Sequence, residues 1–236
     1  MFTVALIGGD GAGKTTIAKT LIHSSGLPMK YLYMGLSTES SNYALPTSRL
    51  FIFLKQKIYK NAAHNSASPI PGKIPANQPQ NLPIVHGWLW NTARFLNRLA
   101  EAWYRQLISI NYQLRGYIVL YDRHFFFDAA PVGFNSHARG PLLDRLFLWL
   151  MSHWYPRPTL TIYLDAPPEL LYQRKSEVSV KYLTQQRYIY LQQGEKLDHF
   201  IRVDASERLD KVQREVAHHI QEFYALRNPK QVGVDE

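Results

Sequence analysis

The sequence predicts an α/β fold in which a five-stranded parallel sheet carries helices on both faces. Three observations point there. Short apolar runs recur along the chain, and stretches with helical spacing separate them, the pattern of strands buried on both sides. Glycine and proline punctuate the joints, as in Gly26-Leu27-Pro28, at Gly116 and at Pro156 and Pro158. Of the 236 residues 46% are apolar, enough for the core of one large domain spanning about 1–230.

The elements follow in order. Val4-Ala5-Leu6-Ile7 reads as a buried strand, Thr15 to Ser24 as a helix stopped near Gly26 and Pro28, and Met29 to Met34 as a second strand. Leu50 to Tyr59 has helical spacing, with Lys55, Lys57 and Lys60 near its end, where cations suit the helix dipole. Asn61 to Pro83 differs in kind: five prolines among Asn, Ala, Ser and Gln cannot bury enough apolar surface to offset their ordering entropy. It reads as a mobile insertion at about 61–84.

A long helix, Val85 to Leu114, follows. Leu89, Ala93, Leu96, Ala100, Trp103, Leu107, Ile110 and Leu114 alternate four- and three-residue steps, so they share one face. Arg94, Arg98, Glu101 and Arg105 take the opposite face, read as solvated with Glu101 and Arg105 as an i,i+4 pair. Gly116 caps the helix, and Tyr117 to Tyr121 reads as a strand. Beyond it come a helix from Pro141 to Trp154, a strand from Leu160 to Leu164, and a helix opened by Pro167 and Pro168, with Asp165 as its expected cap. Tyr182 to Gln193 is helical and Phe200 to Val203 is the last strand. In the final helix Leu209, Val212, Val216, Ile220 and Phe223 form the buried stripe.

Bulk properties bound the function. The absence of cysteine excludes a disulfide framework and a Cys-based zinc site, and agrees with a reducing cytosol. No window is long and apolar enough to span a membrane, and the first residues lack the basic start and cleavage site of a signal peptide, so the expected location is cytoplasmic. The formal charge of +9 favours anionic partners. Helicase and RNA-binding signatures are absent, so no specific nucleic acid is expected.

The chemistry concentrates in two places. Gly8-Gly9-Asp10-Gly11-Ala12-Gly13-Lys14-Thr15 satisfies G-x-x-x-x-G-K-[ST] between a strand and a helix start, the setting of a P-loop. Glycines let successive N–H groups turn around phosphate oxygens, Lys14 reaches the β- and γ-phosphates, and the Thr15 hydroxyl ligates Mg²⁺. The second place is Tyr117 to Asp122, an apolar strand ending in a carboxylate that can hold Mg²⁺ directly or through water. Arg123 follows and can bridge phosphate oxygens; His124 can contact phosphate or simply pack. The aromatic segments Tyr121 to Phe127 and Trp88 to Trp103 can line an acceptor pocket or fill the core.

Gly9 to Thr16 together with Asp122-Arg123-His124 resembles the thymidylate kinases and related P-loop nucleoside monophosphate kinases. Ile162-Tyr163-Leu164-Asp165-Ala166-Pro167-Pro168-Glu169 is similar to that family's Y-L-D-x-x-P-E stretch, and Val203-Asp204-Ala205-Ser206 to its closing D-A-S turn. The resemblance implies a three-layer P-loop NTPase fold and transfer of the γ-phosphoryl group of ATP to a nucleoside monophosphate, dTMP or similar. It implies a donor site made of Gly8, Asp10, Gly11, Ala12, Gly13, Lys14, Thr15 and Thr16, with Ala205 and Ser206 near the adenine. Asp10 would face the acceptor sugar, Asp122 would serve Mg²⁺, and Arg123 would touch both transferring phosphates. Because the P-loop holds no arginine, the cation for the transition state would come from a lid at about 174–187, with Arg174 and Arg187 ahead of Lys175 and Lys181.

The family's acceptor-side R-E-P-G-G turn is replaced by Met34-Gly35-Leu36-Ser37-Thr38-Glu39, and its A-Y-Q stretch by Phe125 to Ala130. Related kinases hold the acceptor phosphate with a helical arginine, for which Arg98 and Arg105 flank the matching position, Glu101. The acceptor therefore stays open between a monophosphate and an alcohol such as a nucleoside or sugar, the latter needing Asp10 or Asp128 as general base. A non-catalytic ATP-binding module is the remaining alternative, and a homodimer is one assembly the sequence allows.

Overall fold

The computed structural model describes residues 1–35, 45, 84–128 and 142–229; of residues 84–90 and 128 it describes the backbone. The expected Leu50–Tyr59 helix and the Asn61–Pro83 insertion lie outside the described residues. In chain order the elements are β1 (Thr3–Gly8), α1 (Lys14–Ser24), β2 (Met29–Tyr33), α2 (Ile84–Leu114), β3 (Ile118–Asp122) and the one-turn α3 (Phe125–Asp128). They continue with α4 (Leu142–His153), β4 (Leu160–Asp165), α5 (Pro168–Arg174), α6 (Val180–Gly194), β5 (Phe200–Asp204) and α7 (Leu209–Arg227).

The five strands form one parallel sheet in the order β2-β3-β1-β4-β5, with helices flanking it, an arrangement compatible with a P-loop NTPase fold. Leu6 pairs with Asp122 on one side of β1, and Gly8 pairs with Leu164 on the other. From β1 the chain runs to the edge strand β2, returns to β3 beside β1 and then crosses to β4 and β5 on the other side, so the strand order reverses next to β1, where such sheets open a crevice at the carboxyl ends.

Strand alternation divides the core. Val4, Leu6, Ile118, Leu120, Leu160, Ile162 and Leu164 face α1 and α7, packing on Ile17, Leu21, Val212, Val216 and Ile220. Ala5, Ile7, Val119, Tyr121 and Tyr163 face the other way, onto Ala102 of α2 and Phe147 and Met151 of α4. Each fully buried side chain of this kind contributes about 1.5–3 kcal/mol. Both faces are dry, which is why the strands read as continuous apolar runs.

The end of α2 is set locally. Gly116 takes φ +86°, its N–H donates to Gln113 O at 3.1 Å, and Tyr117 N–H donates to Tyr112 O at 3.0 Å. These two bonds satisfy carbonyls that the helix end would leave unpaired, and the Tyr112 and Tyr117 rings meet edge to face beneath them.

One face assignment is overturned. On the apolar stripe, Leu96, Trp103, Leu107, Ile110 and Leu114 are between 41% and 83% exposed. The face read as solvated holds Glu101 and Arg105, which are 3% and 1% exposed. Arg105 donates to Gly35 O at 2.8 Å and to Glu101 Oε1 at 3.2 Å, while Glu101 Oε2 accepts from Leu45 N–H at 3.0 Å. The physical reason is that a paired, hydrogen-bonded guanidinium can be buried, and the small side chains of Ala102 and Ser109 let that side pack on the sheet.

Candidate functional site

The site grows from the turn between β1 and α1. Gly11 and Gly13 sit at φ +90° and +87°, where L side chains are strained, and a Cβ on Gly11 would stand 2.9 Å from the Leu171 carbonyl oxygen. Ala12 N–H closes the turn on Gly9 O at 3.2 Å, and Ile17 N–H takes Gly13 O at 2.9 Å. The amides of Gly11, Gly13, Thr15 and Thr16 donate to no group among the described residues. Their N–H groups cluster at the amino end of α1, where the helix dipole adds positive potential.

Lys14 is buried and its ammonium donates to Gly8 O at 2.9 Å and Gly9 O at 2.7 Å, with Asp10 at 3.9 Å. Asp10 is also paired with the Arg123 guanidinium. Burial pushes the Asp10 carboxyl up, but Arg123, Lys14 and Lys175 together outweigh it and hold the pKa below the ordinary value. Arg123 has φ +68°, and its N–H donates to Leu6 O at 3.1 Å, tying the strand end to β1. A non-glycine residue held in the left-handed region stores strain, and such residues cluster at working sites.

Asp122 closes β3 and is 1% exposed. Its Oδ2 accepts from Thr15 Oγ1 at 2.5 Å and from the Tyr31 hydroxyl at 3.0 Å; its Oδ1 is buried with no hydrogen-bond partner among the described residues. An unsatisfied buried carboxylate oxygen beside a hydroxyl is a hard, oxygen-only donor set that fits Mg²⁺. Among the described residues no group of three His, Cys, Asp or Glu could hold a metal.

Beyond the turn a cleft of about 330 Å³ opens between Gly11 to Gly13, Thr16, Arg174, Ala205 and the Glu207–Leu209 segment. Arg174 donates to Ala205 O at 2.7 Å and Ser206 O at 3.2 Å, so it braces the β5–α7 turn and walls the cleft. Ser206 turns back on Asp204 through its N–H and hydroxyl at 2.9 and 2.6 Å, which holds the Asp204 carboxyl low.

Arg187 lies elsewhere. Its Nε and Nη2 clasp Asp165 at 2.7 and 2.9 Å, the Tyr163 hydroxyl donates to the same carboxylate at 3.0 Å, and Arg202 reaches it at 2.5 Å. Burial raises the Asp165 carboxyl, and these donors and cations more than reverse that. The expected helix cap at Asp165 is thus corrected: α5 begins at Pro168 behind Pro167 with no side-chain cap, because prolines supply no N–H for Asp165 to receive there. Lys175 pairs with Glu177 at 3.0 Å.

Two further readings resolve. His124 is fully buried among Tyr121 and Tyr155, and Phe126 N–H donates to its Nδ1 at 3.2 Å. Burial drives its pKa down to about 3, offset in part by the Pro156 backbone, so it is a packed neutral ring. Arg98 donates to Asp144 at 2.6 Å and lies over the Phe147 ring, 4.2 Å from its centroid, so it docks α4 on α2. Phe125, Phe126 and Phe127 fill the core on the α2 face.

The structure therefore brings Gly8 to Thr16, Asp122 and Arg123 into one cluster, sets Arg174, Ala205 and Ser206 along its flank, and gathers Arg187 on Asp165. Tyr31 and Arg202 escaped the sequence reading. Tyr31 lies two residues from the end of β2, and strand alternation places it on the α1 face, a signal that was legible only with the register. No family model matches the chain, and a search of curated proteins found no match to it.

Proposed function

We propose that this chain is an ATP-dependent phosphotransferase that moves the γ-phosphoryl group of Mg-ATP to a small acceptor, a nucleoside monophosphate such as dTMP being the first class. The observation that carries the reading is the Thr15–Asp122 contact, which joins the glycine turn to the end of a neighbouring strand and leaves Asp122 Oδ1 without a partner among the described residues. The amides after Gly11 and the Lys14 ammonium would cradle the triphosphate, and the cleft beside Arg174 would take the base. Thr15 and Asp122 would hold Mg²⁺, which neutralises charge on the β- and γ-phosphates when bound.

The chain's own residues would position and neutralise. Two of the donors on the Lys14 ammonium now serve the Gly8 and Gly9 carbonyls, and phosphate oxygens can take them over. Arg123, fixed against Asp10, presents charge at the β3 end of the cluster. Asp10 supports a phosphate acceptor over an alcohol. A carboxylate paired with Arg123 and held below its ordinary pKa is a poor general base, whereas a monophosphate arrives as an anion and needs none.

The partner class includes a second copy of this chain. The outward face of α2 sets Leu96, Ala100, Trp103, Leu107, Ile110 and Leu114 at alternating four- and three-residue steps with no charge among them. That 3.5-residue repeat is self-complementary across a two-fold axis, since each row supplies holes for the same row opposite. Among the described residues no helix is long and apolar enough to cross a membrane.

The test is ADP release coupled to an acceptor screen covering nucleoside monophosphates, nucleosides and sugar phosphates. Acceptor-dependent release with a monophosphate is the expected result. ATP binding with no acceptor-dependent release would convert the reading into a nucleotide-binding module.

A further inference from the structure

The Asp122 carboxylate is asymmetric: one oxygen has two hydroxyl donors and the other has none among the described residues. A carboxylate can rotate about its Cβ–Cγ bond, and a single donor would leave that rotation soft. Thr15 approaches Oδ2 from the start of α1, and Tyr31 approaches the same atom from β2, so the two donors come from different elements. Together they pin Oδ2.

Tyr31 is suited to this role. Register pairs Tyr31 with Leu120, two residues before Asp122 on β3, and the intervening Leu32 faces the opposite core. The phenol is half-buried, and its hydroxyl donates to Asp122 Oδ2 at 3.0 Å. Thr15 has one O–H, so the second donor to Oδ2 has to come from another side chain.

We propose that Tyr31 is a positioning residue for divalent-metal binding, its hydroxyl fixing Asp122 through Oδ2 so that Oδ1 is preset as the metal-facing oxygen. The inference rests on the reading of Asp122 as a Mg²⁺ residue. Outer-shell groups that orient a ligand typically change metal affinity by ~10–100-fold when removed. The Tyr31→Phe change keeps the ring and deletes the hydroxyl alone.

The experiment uses Mn²⁺ as the probe, read by its paramagnetic resonance signal in titrations of the full chain with ATP. Nucleotide affinity in EDTA and the thermal midpoint are measured on the same samples. Tyr31→Phe is expected to weaken Mn²⁺ binding roughly ten-fold while metal-free ATP binding stays as in the wild type. Equal Mn²⁺ affinity in both proteins overturns the positioning role and leaves the proposed function standing. A matching loss of ATP affinity in EDTA also overturns it, since a general disturbance of the turn would then explain the effect. Failure of the wild type to bind Mn²⁺ with ATP removes the functional reading itself.

Discussion

Arg105 and Glu101 form an ion pair inside the protein, one helical turn apart, with Gly35 O and Leu45 N–H completing the circle. Removing one charge strands the other in the interior. Glu101→Ala should therefore cost about 3–5 kcal/mol of unfolding free energy, measured by urea titration. A joint Glu101→Met, Arg105→Met variant should cost much less, because no charge is left unpaired. If the single variant unfolds like the wild type, the pair is not buried in solution.

Lys14 and Asp122 should fail in different ways. Lys14→Met removes a cation that would stay with the phosphates through transfer, and the turnover rate should fall by about 100- to 1000-fold. Asp122→Asn keeps the hydrogen bonds to Thr15 and Tyr31 through its amide oxygen but removes the charge that would hold the metal. Its ATP affinity should become insensitive to Mg²⁺, as read by calorimetry with and without EDTA. An Asp122→Asn protein with full Mg²⁺-dependent turnover would exclude the metal role.

His124 makes a pH prediction. Its folded pKa lies near 3, against an ordinary 6.5 in the unfolded chain. Above 6.5 both states are neutral and nothing is at stake. As pH falls below 6.5 the unfolded chain gains a proton that the native ring refuses until about 3, so stability declines across that window. His124→Phe cannot titrate and should flatten this part of the profile. Parallel urea midpoints for the two proteins from pH 7 to pH 4 would refute the assignment.

The outward face of α2 can be tested by a single charge. Leu107 is 62% exposed, so Leu107→Glu should leave the monomer's fold intact. If the face closes on a second copy, the substitution should convert a dimer into a monomer in sedimentation equilibrium. A wild type that sediments as a monomer at high concentration rules out the interface.

How much of this was legible beforehand depended on whether the signal was local. The glycine turn needs positive φ at Gly11 and Gly13 and a helix start after them, and all of that is written in consecutive residues. The strand ending at Asp122 is equally local. Which face of α2 points inward is not, because an apolar stripe at this spacing suits a core or a partner equally and periodicity cannot say which it meets. Arg105 can go inside only because Gly35, at the end of β2, offers a carbonyl, a fact of topology. Asp165 taught the same lesson: its two arginines come from α6 and β5, and local sequence showed only a carboxylate before two prolines.

The left-handed backbone at Arg123 sets stability against work at one position. Glycine would relax that φ angle and gain on the order of 1 kcal/mol locally, yet it would delete the guanidinium that meets Asp10. Selection for a sturdier molecule alone would erase the arginine. The chain carries the conformationally costlier residue at this position, and what it holds in exchange is a cation against Asp10.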